Sequence, residues 1–471
     1  MCWGTKGYTM DAAQQWAHET FGDTDLGDKR RSKRLVKMLS SMMTHNNEYI
    51  SKSFASPEEI KGAYRWINNE NIDKESILKQ SCQSCLISDE KYLVVVIDGS
   101  SISIENRRAQ SLGHIGTSKS KTKGYQVITS LAYTPQGRPL GVMDQHYWKR
   151  TKKIQSKKAY DRQKSRRRKF EEKENYFIIK TAASCQSQRD QVNPAQKLWF
   201  QHDRGADAHE ILKYVTRSQD YWTIRASQDR KIKNNTILRS FAALSVQSPT
   251  MTGLLYLPRC GKSCARTVPI EIRAASLTLE VKKCNDEKNE CIDLHFIEVK
   301  GFHEGQKICW RLITNYPVQS HDDILLVIDH YKLRWSVEEF HRTWKETCRI
   351  EETKLRKEKA IQLWCSLNAV IAMRIEEIKK VSRQTPDEDA TVLFSKEEIQ
   401  AIILIRKPKN IQNQPITLQQ AVYWLAELGG YQGLTASGGP PGSVVIGRGL
   451  ERIATTAQLL KHYDLVPKSC G

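Results

Sequence analysis

No stretch of this 471-residue chain reaches the ~18 consecutive apolar residues of a membrane-spanning helix, so no membrane partner is expected. The start, MCWGTKGYTMDAAQQW, lacks the apolar core of a secretory signal, and a soluble, cytoplasmic protein is expected. No internal repeat is visible. Closely paired cysteines are also scarce. The chain has 12, but they are scattered, whereas a zinc ribbon needs two close pairs at regular separation. Cys82–Cys85 has the right spacing and no second pair nearby, and Cys260–Cys264 sits in LPRCGKSCAR, which reads as a turn. Reduced, mostly buried thiols are expected. Acid is in short supply too: 53 Asp and Glu face 74 Lys and Arg, a net charge of +21. That excess calls for a polyanionic partner, because each neutralised phosphate releases condensed counterions. Nucleic acid is the first candidate.

The length allows two to four domains with a substantial core. The first eighty or so residues read as helices. Ser56-Pro57-Glu58-Glu59 is a helix start with a cap, a proline at the first position and acids in the first turn. In LGDKRRSKRLVKML, Asp28 can cap a helix whose opening turns carry Arg30, Arg31 and Arg34. Cations there oppose the helix dipole, so stability does not ask for them, while a phosphate backbone does. After Glu90 the pattern changes. Leu93 to Ile97 is a continuous apolar run, as in a strand buried on both faces, and it ends at Asp98. Two further strands joined by TPQG, the basic stretch Lys149–Lys169, a helix, and a strand ending at Asp203 follow. The fourth strand can lie parallel beside the first through a crossover, which puts both aspartates at one sheet edge, where α/β sheets place their sites. From about Tyr221 to Tyr316 the apolar runs are short and strand-like, and beyond Glu351 the chain is helical.

The segment HYKLRWSVEEFHRTWKET carries an acid among cations. Wound at about 100° per residue with Glu338 at zero, Tyr331 falls at about +20°, Arg334 at about −40° and Lys345 at about −20°. Val337, Phe340 and Trp344 gather roughly 100–160° away as a buried stripe. His341 lies beside the polar face, either touching a ligand or simply exposed. A plain i,i+4 ion pair between Arg334 and Glu338 is the ordinary explanation of this face. Asp98, Asp203 and Glu338 together offer another. Clustered carboxylates repel unless a cation joins them, and a hard divalent metal suits oxygen ligands. Two such ions about 3.5–4 Å apart can serve both oxygens of a phosphodiester displacement. Asp207, four residues past Asp203, is a spare acid that could bind metal instead.

YKLRWSVEEFHRTWK matches the Tyr-x2-Arg-x3-Glu-x6-Lys motif of the DDE transposases, and the chain resembles their insertion-sequence-four family, especially its transposon-five branch. LGDKRRSKRLVKM, KGAYRWINN, GRPLGV, EKENYF and HDRGADAH resemble further pieces of the family, in order, over nearly the whole chain. The resemblance implies an α/β, ribonuclease-H-like (retroviral-integrase-type) catalytic core with a β-rich insertion, flanked by helical N- and C-terminal domains. It divides the chain into an end-binding domain over 1–75, a core over 76–370 with the insertion at about 221–320, and a dimerisation region over 371–471. Asp98, Asp203 and Glu338 would be the metal-binding catalytic triad, holding two Mg2+ ions with Mn2+ as a possible substitute. Tyr331, Arg334 and Lys345 would contact DNA phosphates, Trp310 would stack on a flipped base, and Arg30, Arg31 and Arg34 would bind the element's end. The implied activity is cut-and-paste transposition: a bacterial homodimer binds double-stranded DNA at terminal inverted repeats, cleaves it through a hairpin intermediate and joins 3′ ends to target DNA. A catalytically lapsed DNA-binding inhibitor and a ribonuclease-H-like nuclease without strand transfer are the alternatives. The long basic arm and GGPPGSVVIGRGLERI depart from the family pattern.

Overall fold

A computed structural model describes residues 12–44, 49–54, 56–116, 120–150, 169–233, 235–257, 266–281, 290–303, 306–409, 415–433 and 439–463. Nearly all of the basic arm Lys149–Lys169 and the Cys260–Cys264 turn lie outside them. The chain opens with helices Ala12–Phe21, Lys29–Thr44, Pro57–Ile67 and Lys74–Leu86. The third starts as its sequence dictates: Ser56 Oγ accepts from Glu59 N at 3.2 Å, ahead of Pro57.

Twelve strands follow among the described residues: β1 (Tyr92–Ser103), β2 (Gly113–His114), β3 (Lys123–Tyr133), β4 (Pro139–Trp148), β5 (Lys197–His202), β6 (Tyr221–Arg225), β7 (Lys231–Ile232), β8 (Asn235–Arg239), β9 (Met251–Leu257), β10 (Arg266–Val281), β11 (Glu290–His303) and β12 (Gln306–Thr314). They form one mixed sheet. β1 is antiparallel to β3 and parallel to β5, as the crossover reading expects, and β5 is parallel to β6. Sequence reading placed Tyr221–Arg225 at the start of the insertion. Its pairing with β5 makes it part of the central sheet instead, because a short run such as YWTIR carries no mark of which sheet it joins. β12 then pairs antiparallel with β6, so β9–β12 extend that same sheet.

Strand alternation sets the layers. Leu93, Val95 and Ile97 of β1, with Leu198 and Phe200 of β5, pack under helices Tyr176–Val192 and His209–Arg217. Val94 and Val96 face the other way, into a cluster with helix Glu358–Gln384 and the N-terminal helices. Trp199 meets Val327 and Ile328 of helix His321–Lys332. Each fully buried Val or Leu adds about 1.5–3 kcal/mol. Two expected domain edges fall within helices: 75/76 in Lys74–Leu86 and 370/371 in Glu358–Gln384. The apolar face of the latter is shared by the N-terminal helices and by helices Lys396–Arg406, Leu418–Leu428 and Ser443–Tyr463.

Candidate active site

The two aspartates follow from register. Val96–Gln201 is the last rung joining β1 to β5, and Asp98 and Asp203 each lie two residues beyond it. β1 runs on beside β3, with Asp98 opposite Thr129, while β5 stops at His202. The strands therefore fork at the acids. By alternation Asp98 shares the face of Val94 and Val96, and Asp203 that of Trp199, which is the face covered by the segment bearing Glu338.

That segment is not one regular helix. Helix His321–Lys332 gives way to a 3-10 turn, Leu333–Trp335, then to α-helix Ser336–Arg342 and a π turn, Thr343–Thr347. Arg334 sits on the tight turn and reaches two acids: Nη2 donates to Glu338 Oε1 at 2.6 Å and Nη1 to Asp98 Oδ2 at 3.4 Å. The ion pair read from the sequence is thus present, and the same guanidinium also reaches Asp98. Lys345, on the π turn, donates to Ser100 Oγ at 2.7 Å. Ser100 lies two residues past Asp98 on the same strand face, a partner that β alternation could have revealed.

Burial and the nearby negative charges of Asp203 and Glu338 push the Asp98 carboxyl up to about 6, against the opposing pull of Gly99 N–H and Arg334. Burial also lowers the Lys345 ammonium. Arg334 is desolvated as well, but the Glu338 hydrogen bond and neighbouring acids outweigh this and hold its charge more firmly. Asp203 Oδ1 accepts from Gly205 N at 2.8 Å. As the side chains stand, no three acids among the described residues close around a single ion.

Asp207 is differently employed. Its Oδ2 accepts from Ser227 N at 2.6 Å and Gln228 N at 2.8 Å, and its Oδ1 pairs with Arg230 at 2.7 Å. These partners tie it to the loop after β6 and occupy both of its carboxylate oxygens. Tyr331 is buried rather than displayed on an open polar face. Its ring meets Trp310 edge-on at 5.6 Å, with Arg225 and Asp203 near its hydroxyl. The 3-10 turn between Tyr331 and Glu338 breaks the single winding that put them on one stripe. Trp310, on β12, is half-buried. His341 is not exposed: it is buried beside Phe340 and Trp344, and burial pushes it down to about 3.

At the N-terminal helices, Arg30 projects into solvent beside Asp28, whose Oδ1 caps the helix through Arg30 N at 2.8 Å. Arg31 turns back to the Leu26 carbonyl at 2.9 Å, and Arg34 lies against Gly62 of the following helix, Pro57–Ile67. The three cations expected to act together are therefore differently placed. Cys82, Cys85 and Cys185 are buried thiols of the core. No helix among the described residues is long and apolar enough to cross a membrane.

Residues 13–72 match the family described as "Transposase DNA-binding", and residues 89–374 match "Transposase DDE domain". The second match takes in Asp98, Asp203 and Glu338. Among solved structures, the whole chain aligns with 76% of a chain from a piggyBac transposase synaptic complex with hairpin DNA, at 8% identity and a TM-score of 0.33, a likeness too slight to carry weight.

Proposed function

The chain belongs to the DDE transposases, enzymes of DNA cleavage and strand transfer, and from that premise we propose a cut-and-paste enzyme of the insertion-sequence-four, transposon-five kind. It binds terminal inverted repeats through its N-terminal helices, acts as a homodimer on the two ends, and uses Asp98, Asp203 and Glu338 as its catalytic acids. The observation that carries this reading is Arg334 drawn between Asp98 and Glu338, with Asp203 at the matching position of the neighbouring strand.

DDE domains generally use divalent metal ions, and the donor set here fits them: hard carboxylate oxygens, crowded enough that Asp98 resists ionisation. Asp98, Asp203 and Glu338 would hold two Mg2+ ions, or Mn2+ in their place. Bound there, such ions supply an activated attacking oxygen and a stabilised leaving one. The chain's own groups do the rest. Arg334, once a phosphate arrives, can trade a carboxylate for a phosphate oxygen without losing hydrogen bonds, since its planar fork suits both. Lys345 can turn from the Ser100 hydroxyl to the strand beside Asp98. Tyr331 backs Trp310 edge-on, and the Trp310 ring offers a face to an unstacked base, as closing a strand end into a hairpin requires. The freed 3′ hydroxyl attacks a phosphodiester of the opposite strand, displacing the 3′ oxygen of the flanking DNA and closing that hairpin; water then hydrolyses the new bond, and the restored 3′ hydroxyl attacks a phosphodiester of target DNA, displacing a target 3′ oxygen.

Nicking of a labelled end duplex tests the assignment. Wild-type protein with Mg2+ is expected to release a 3′ hydroxyl end. Asp203→Asn is expected to bind the same duplex and leave it uncut, and wild-type cutting by that variant would contradict the triad.

A further inference from the structure

Helix Glu358–Gln384 buries two charged side chains, Glu376 and Lys379, in an otherwise apolar setting. A carboxylate so placed is costly unless every lone pair is matched. Here each is. Glu376 Oε2 pairs with Lys379, whose Nζ also lies 3.3 Å from Glu339. Its Oε1 accepts from the Thr343 hydroxyl and, at 2.6 Å, from the Ser443 hydroxyl.

The two donors on Oε1 belong to distant parts of the chain. Thr343 is the first residue of the π turn, closed by Cys348 N donating to Thr343 O at 3.0 Å. Ser443 is the first residue of the C-terminal helix, Ser443–Tyr463, outside the matched DDE region. One turn further on, Gly447 backs onto the other end of the π turn, where a Cβ would lie 2.5 Å from Thr347 Cγ2. The C-terminal helix thus meets the π turn at both ends, through a shared carboxylate at Thr343 and through the close approach of Gly447 to the Thr347 side chain. Between them sits Lys345. π turns are rare and depend on their surroundings for support, since their hydrogen-bond geometry competes with the ordinary α-helical one.

We propose that Glu376, with Ser443 and Gly447 of the C-terminal helix, is a positioning assembly that fixes the π turn so that Lys345 reaches the strand carrying Asp98. The C-terminal helix then has a part in the chemistry of its own active site, apart from any part in dimerisation. This rests on the phosphate-contact reading of Lys345.

The test compares wild type, Ser443→Ala, Ser443→Thr, Lys345→Ala and the Ser443→Ala/Lys345→Ala double variant of the full chain, by end-duplex binding, single-turnover nicking with Mg2+, and hydrogen exchange at residues 343–348. Ser443→Ala is expected to exchange faster there, bind within about twofold of wild type and nick about tenfold more slowly, with Ser443→Thr restoring the rate. In the Lys345→Ala background the same substitution is expected to change nicking by less than about twofold, because the two act as one unit. Unchanged exchange in Ser443→Ala overturns the clamp, and so does equal slowing in both backgrounds. Faster exchange with full-speed nicking by Lys345→Ala overturns the role of Lys345 itself, a different failure that the exchange data keep separate.

Discussion

Arg334 donates to Glu338 at 2.6 Å, four residues along the same segment, and its other terminal nitrogen faces Asp98 at 3.4 Å. A cation between two acids of different elements gathers them, and in the proposed reading its guanidinium lies beside the reacting strand. Arg334→Ala is expected to lower single-turnover nicking by about 10²-fold, the usual loss of one preorganised donor. Arg334→Lys recovers part of it, because an ammonium keeps the charge but loses the two-acid fork. Equal rates for all three proteins would remove Arg334 from the chemistry.

Asp98 gives a pH dependence whose sign is fixed. Its folded value, about 6, lies above the ordinary carboxylate value of 3.8. The folded state therefore binds more protons than the unfolded state between those values, and metal-free stability falls as pH rises through that window. Asp98→Asn is expected to flatten this slope and to be more stable than wild type at pH 7.5 in EDTA, by about 1–3 kcal/mol. Thermal melts at pH 5 and pH 7.5 check it. Mg2+ is expected to raise the wild-type melting temperature and to do less for Asp98→Asn.

Asp207 separates a structural acid from a candidate catalytic one. Its carboxylate anchors Ser227, Gln228 and Arg230. Asp207→Ala is expected to cost about 3–5 kcal/mol, because it strands a buried guanidinium. Asp203→Asn is expected to leave the unfolding free energy within about 1 kcal/mol of wild type. Urea titration of both variants makes the comparison, and reversed losses would exchange their roles.

These contrasts mark how far the sequence was legible. The apolar run Leu93–Ile97 announced a doubly buried strand, and alternation along β1 and β5 brings Asp98 and Asp203 to one face by simple counting. Glu338 and Arg334 met because four residues nearly close a helical turn. Winding the whole segment as one α-helix hid the 3-10 turn at Leu333–Trp335 and the π turn at Thr343–Thr347, since neither has a local sequence mark. Hence Tyr331 and His341 looked displayed and are buried. Asp207 looked interchangeable with Asp203 because its partners, Ser227 to Arg230, lie beyond another strand. Pairing partners decided that β6 belongs to the central sheet, and pairing is a tertiary fact. For the same reason the helix through residue 370 gave no sign that it carries a core common to both chain ends.

Trp310 lies edge-on to Tyr331, 5.6 Å between ring centres, on the strand that joins the insertion to the central sheet. Trp310→Ala is expected to keep first-strand nicking and to lower hairpin formation by about tenfold or more, with Trp310→Phe intermediate, as a stacked base is worth about 1–3 kcal/mol. A 2-aminopurine placed near the end of the duplex reports the unstacking directly. Loss of nicking and hairpin formation in equal measure would assign Trp310 to the fold.

At the other end of the chain, Arg30 is open to solvent while Arg31 is bonded to the Leu26 carbonyl. Arg30→Ala is expected to weaken end binding and to reduce its salt slope by about one unit. Arg31→Ala is expected to act first on thermal stability. Fluorescence anisotropy across a salt series distinguishes them, and an unchanged slope for Arg30→Ala would exclude it from the phosphate contacts.

Mn2+ binding to the protein–end-duplex complex, followed by electron paramagnetic resonance, bears most directly on the three acids. Two exchange-coupled ions per active site are expected for wild type, with coupling lost in each of Asp98→Asn, Asp203→Asn and Glu338→Gln. A coupled pair that survives replacement of any one of these acids would contradict their convergence on a shared metal site.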